Sequence, residues 1–172
     1  MDKLISVLGD SISTFEGVTV AGNRTYYDAE DANGTGVMRP ADTWWAQVIE
    51  RAGGTLLANA AFSGGMVAGA GFPAARTPER VRQILGAAGE TPDEVLVFIG
   101  INDYGWGSAD AQARGGSEAA PGGSSAQEAG FEPGLAPAGA LQEFARAYDE
   151  MLEGIRAVAP EAAVRCMTLL PG

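Results

Sequence analysis

Three runs of small polar residues each follow an apolar segment: Gly9-Asp10-Ser11 after "LISVL", "NAAFSGG" (Asn59–Gly65) after "TLLA", and "GINDYGWG" (Gly100–Gly107) after "VLVFI". Each has an ordinary use. A serine caps a helix, a Gly-rich loop bends freely, and an asparagine tolerates a left-handed turn. Together they also hold what acyl transfer requires, a hydroxyl nucleophile and N–H donors for the oxyanion that forms when it attacks. The donors on offer are the Ser11 backbone N–H, the Gly64 N–H and the Asn102 side-chain amide. Gly64 has no side chain, so its backbone can approach a substrate closely. Asp10 and Asp103 sit beside turns and read as braces that accept backbone N–H groups. Phe62, Met66, Tyr104 and Trp106 flank these runs and are candidates to line an acyl pocket, although packing explains them equally well.

A serine nucleophile needs a neighbour to take its proton, and the 172 residues contain no histidine. Other compositional facts narrow the classes. Eleven Lys and Arg against 22 Asp and Glu give a net charge of −11, which argues against nucleic acid or an anionic membrane as partner. Cys166 is the single cysteine, so no intrachain disulfide forms, and within "AAVRCMTLL" it reads as a small buried hydrophobe. No histidine, one cysteine and no carboxylates at ligand spacing lead to the expectation of no metal and no other cofactor. "MDKLISVLGD" lacks a basic n-region and a cleavage site, so no signal peptide is read and a cytoplasmic setting is expected. No segment approaches the ~20 apolar residues that span a bilayer.

The elements that must position these runs follow from periodicity. Leu4–Leu8, Thr55–Ala58, Glu94–Ile99 and Ala163–Leu169 read as strands, the near-continuous apolar ones as strands of a parallel sheet buried on both faces. Asp42 or Thr43 caps a helix with Trp45, Val48, Ile49 and Ala52 on one face, stopped by Gly53-Gly54. Thr77 and Pro78 open a second, with Val81, Ile84, Leu85 and Ala88 at helical spacing. A third runs from about 140 to 159 with a stripe of Leu141, Phe144, Tyr148, Leu152, Ile155 and Val158. Strand and helix alternate, which predicts an open α/β sandwich of one domain. Residues 16–41 are too long for a simple turn. Residues at about 107–139, rich in Gly, Ala, Ser and Pro, read as a flexible insertion.

The three runs, in this order, resemble the blocks of the SGNH hydrolase superfamily, also called GDSL esterases. "GDSIS" resembles the block of the nucleophile, which maps to Ser11. "NAAFSGG" and "GIND" resemble the blocks whose glycine and asparagine build the oxyanion hole, which map to Gly64 and Asn102. "DTWW" and "TLLPG" resemble features of a bacterial subgroup. The resemblance implies a three-layer α/β/α sandwich with a parallel, flavodoxin-like sheet. It also implies a serine ester hydrolase acting through an acyl-enzyme on short-chain acyl or acetyl esters, carbohydrate esters included. The family's catalytic His and Asp come from an Asp-x-x-His block that nothing here matches. The ending in "LLPG", which would leave a sheet edge uncovered, leads to the expectation that a last strand, helix and Asp-x-x-His block are missing. The alternatives are a non-catalytic pseudo-hydrolase that binds an acylated or anionic ligand, and an O-acyltransferase of the same superfamily. A phosphate-binding flavodoxin-like module fits less well, because the first loop has no G-x-G-x-x-G or Walker pattern.

Overall fold

A central pair of strands, β1 (Lys3–Gly9) and β3 (Glu94–Phe98), carries the most apolar segments of the chain and is flanked by β2 (Gly54–Asn59) and β4 (Ala163–Cys166). The structure, a computed structural model, describes residues 2–103 and 139–167. All strand pairs are parallel, in the order β2-β1-β3-β4. Parallel strands need both faces covered, and the two-residue alternation decides what goes where. Ile5, Val7 and Leu96 face one side, packing with Phe15 and with Trp45 and Ile49 of helix α1 (Trp44–Arg51). Leu8, Val95 and Val97 face the other, against Val81 of α2 (Pro78–Arg82), Ile84 beyond it, and Ala147, Met151 and Ile155 of α3 (Ala140–Val158). These are the three layers expected, helix on sheet on helix. Ser6 points into the second face without cost, because its hydroxyl donates to the Ile84 carbonyl at 2.7 Å.

The helix starts follow their capping residues. The Thr43 hydroxyl accepts from the Ala46 N–H, and the Thr77 hydroxyl accepts from the Arg80 N–H with Pro78 at the first position. The α2 helix is shorter than its periodicity suggests. Beyond Gln83 the chain turns at Gly86, whose N–H donates to the Glu90 carbonyl at 2.9 Å, so Ile84 is buried from a turn and Ala88 is exposed.

Three further expectations are corrected. Leu141 is 71% exposed and does not belong to the buried stripe of α3, which runs instead through Ala147, Met151 and Ile155 at four-residue spacing. Phe144, Tyr148, Leu152 and Val158 pack half-buried along its flanks. Cys166 is exposed, because β4 is an outer strand among the described residues and only Val164 of its four side chains is partly covered. On α1, Val48 and Ala52 are exposed while Trp45 and Ile49 carry the packing. The expected insertion at about 107–139 lies outside the described residues except for Gly139. Among the described residues no helix is long and apolar enough to cross a membrane.

Candidate functional site

The carboxyl ends of β2, β1 and β3 lie side by side, and each leads into one of the three polar runs. β1 passes through Asp10 into a single 3-10 turn, Ser11–Ser13, so Ser11 stands at the first position of that turn, two residues past the strand. The Asp10 carboxylate caps that turn, accepting from the Ile12 N–H at 3.3 Å. Asn59 ends β2 and locks the two loops together: its amide donates to the Ser13 carbonyl at 2.8 Å and its oxygen accepts from the Ala61 N–H at 3.0 Å. The Phe62 N–H then donates to the Gly9 carbonyl at 3.1 Å, which holds the Gly64 loop against the Ser11 turn.

Gly64 takes a backbone φ of +78°, which side chains disfavour, and a Cβ there would come within 2.8 Å of the Arg24 guanidinium. The positive φ is what calls for glycine, since the flexible end of Arg24 could give way. From the β3 end, the Asn102 amide donates to the Gly65 carbonyl at 2.9 Å, leaving its second N–H for another acceptor. Asp103 braces the same loop, taking the Val67 N–H at 2.8 Å and the Ala68 N–H at 2.8 Å. Neither the Ser11 nor the Gly64 backbone N–H donates to any described residue. The structure thus brings the three loops together by direct hydrogen bonds, with Asn102 tied to the residue next to Gly64. Asp10 and Asp103 both act as the braces their positions suggested.

The electrostatics of this rim are those of buried acids. Burial pushes the Asp10 carboxyl up to about 6, with the Asp103 charge adding to the rise and the Ile12 N–H opposing it. Asp103 is also raised by burial, against the N–H groups of Val67 and Ala68. Behind them lies Arg80, which is fully buried and which sequence reading passed over. Its guanidinium donates to the carbonyls of Ala60, of Gly9 (2.9 Å) and of Pro73 (3.1 Å), so one side chain ties the ends of β1 and β2 to the loop before α2. Burial pulls its pKa down and the Asp10 charge opposes that pull. A signal was present: Arg80 lies four residues before Ile84, next to the stripe of Val81, Ile84 and Leu85 in the sequence pattern.

A cavity of about 620 Å³ opens beside Gly64, with Met66, Phe72, Pro73, Arg76 and Glu143 among its lining residues. Met66 lies on the wall of this cavity. Phe62 does not line this cavity. Its ring lies about 6 Å from both the Arg24 and the Arg80 guanidinium groups and meets Phe72 edge-on at 5.5 Å. The far wall is fixed by Arg76, which bridges Glu143 and Glu150 of α3. Tyr104 and Trp106 lie outside the described residues.

A family model described as GDSL-like Lipase/Acylhydrolase matches residues 3–168. Among solved structures, the chain is similar to a GDSL-like lipase from Bacteroides uniformis at 26% identity and a TM-score of 0.61, covering 98% of this chain and 71% of that one. A GDSL-like lipase from Bacteroides ovatus gives 24% identity and a TM-score of 0.62, covering 96% of this chain and 72% of that one. An active-site mutant of a family two carbohydrate esterase from Clostridium thermocellum, in complex with celluohexase, shares the fold at 14% identity and a TM-score of 0.55. There the match covers 100% of this chain and 45% of that one. No curated protein matches the chain. With a family match over residues 3–168 and a parallel sheet of the same architecture, the chain belongs to the GDSL-like lipase/acylhydrolase family.

Proposed function

We propose that the protein is a serine ester hydrolase in which Ser11 attacks the ester carbonyl. The oxyanion is received by the N–H groups of Ser11 and Gly64 and by the Asn102 amide. The observation that carries this reading is the meeting of these three residues' loops at adjacent strand ends, with the Ser11 and Gly64 N–H groups given to no described residue. Fixed donors aimed at developing charge are commonly the largest single source of rate in acyl transfer. In the step proposed, the Ser11 oxygen bonds to the acyl carbon, the alcohol leaves with a proton, and water later releases the acid and restores Ser11. The cavity beside Gly64 takes the acyl or alcohol part, with Met66 on its wall. Short-chain acyl esters are the substrate class, and acetylated carbohydrates belong to it, the likeness to a carbohydrate esterase making them the natural second probe.

The proton of Ser11 has no imidazole to go to within the 172 residues. Asp10 is a better base than an ordinary carboxylate, but its carboxylate is buried and engaged with the Ile12 N–H. Hydrolysis by this chain alone is therefore slow, and free imidazole accelerates it. The test is release of p-nitrophenol from p-nitrophenyl acetate by wild type and Ser11→Ala, with and without imidazole. The account expects a rate above buffer that imidazole raises in wild type beyond its effect on Ser11→Ala. Equal rates for the two proteins under both conditions would remove the esterase reading.

A further inference from the structure

Arg24 clasps the peptide that follows Ser63 from one side and the residue itself from the other. The Ser63 N–H donates to the Arg24 carbonyl at 2.8 Å. The Ser63 carbonyl receives the guanidinium through Nε at 3.2 Å and Nη2 at 3.0 Å. That carbonyl belongs to the same peptide unit as the Gly64 N–H. The unit is trans, the X-Pro bond at Phe72-Pro73 being the cis bond among the described residues. In a trans peptide the C=O and N–H point in opposite directions. A guanidinium fixed on the Ser63 oxygen therefore sets the direction of the Gly64 N–H, away from Arg24. A cation on the oxygen also draws charge from the amide and makes its N–H a stronger donor. The neighbouring N–H groups are spent, Ser63 on Arg24 and Gly65 on the Phe62 carbonyl at 2.8 Å, whereas Gly64 donates to no described residue. The guanidinium is itself held against the Phe62 ring, 6.0 Å from its centroid.

We infer that Arg24 is a positioning residue that aims and polarises the Gly64 N–H. The inference rests on the proposed role of Gly64 as an oxyanion donor. A donor used only in the transition state affects kcat and leaves KM alone.

The experiment compares wild type, Arg24→Ala, Arg24→Lys and Ser11→Ala. It follows p-nitrophenyl acetate kinetics with imidazole present, and the Gly64 amide resonance in ¹⁵N-labelled protein. Arg24→Ala is expected to lower kcat roughly tenfold with KM unchanged, a fraction of the loss for deleting a donor outright. Its Gly64 resonance moves while distant resonances stay in place. Arg24→Lys, which keeps the charge but not the fork, is expected to recover part of both. A folded Arg24→Ala with wild-type kcat and an unmoved Gly64 resonance overturns the inference. Should Arg24→Ala not fold, Arg24→Lys decides, since wild-type kcat and an unmoved Gly64 resonance in that variant overturn it equally. If Ser11→Ala hydrolyses as fast as wild type, the underlying site reading fails instead, and the kinetic arm identifies that failure separately.

Discussion

At the amino end of β3, Glu94 is buried and yet paired from both sides, by Lys3 on β1 and by Arg165 on β4 at 2.9 Å. At the carboxyl ends of the same strands, Asp10 is buried and Asp103 half-buried among backbone N–H groups, and among the described residues no salt bridge reaches them. Burial alone would push the Glu94 carboxyl up, but hydrogen bonds from Lys3 and Arg165 outweigh it and hold the group below its ordinary value. At the other end burial wins, and both acids are raised. One sheet thus keeps an end where a carboxyl is held down by cationic partners and an end where two carboxyls are raised by burial. Ligands of open α/β sheets bind beyond the carboxyl ends of the strands, and that is the end where the raised acids lie.

The contrast can be broken at several points. The largest effect belongs to the carboxyl rim. Asn102→Ala is expected to lower Ser11-dependent turnover by about 10²–10³, as loss of one oxyanion donor does, with KM little changed; steady-state kinetics on p-nitrophenyl acetate measure it.

Asp10 comes next and concerns stability. The folded carboxyl titrates at about 6 against an ordinary value of 3.8, so between those values the folded state binds more protons than the unfolded one. Stability therefore falls as pH rises through that window and stays reduced above it. Asp10→Asn mimics the protonated form and its oxygen can still accept from Ile12. It is expected to raise stability by about 2–3 kcal/mol near pH 7.5, from the 1.36 kcal/mol per pK unit of linkage, and to be neutral near pH 4. Urea unfolding at the two pH values reads the difference.

Glu94→Gln has the smallest effect and the opposite pH trend. Lys3 and Arg165 are 40% and 65% exposed at their side chains, so water takes over much of what they lose. A loss of about 1 kcal/mol is expected at neutral pH. A carboxyl held below its ordinary value stabilises above that value and loses the contribution as pH falls through its folded pKa, so the variant and wild type converge in acid. Turnover should not change. A Glu94→Gln variant with impaired kcat would erase the distinction between the two ends.

Much of this arrangement was legible because it is local. The runs "LISVL" and "EVLVF" specify buried parallel strands by composition, and Thr43 and Thr77 announce their helices by type and position. Ser11, Gly64 and Asn102 were recognisable because each lies in the short polar run that follows a strand. What depends on distant partners was not. Arg80 is charged, and only the folded chain supplies the Gly9, Ala60 and Pro73 carbonyls that let it be buried. Cys166 looked apolar by its neighbours, but its exposure is set by the place of β4 in the strand order. Leu141 kept the helical period and still faces solvent, since packing of α3 against the sheet begins near Phe144. Arg24 reaches Ser63 across 39 positions, beyond any local pattern.

The central claim is that Ser11 is the nucleophile, and the most direct measurement is to find the acyl group. The protein is incubated with p-nitrophenyl acetate and imidazole, quenched in acid, digested, and its peptides are sequenced by mass spectrometry. The account predicts one acetyl group on the Ser11 oxygen, absent from Ser11→Ala and reduced in Asn102→Ala. Acetyl found only on lysines, with Ser11 unmodified while wild type and Ser11→Ala release p-nitrophenol at the same rate, would contradict it.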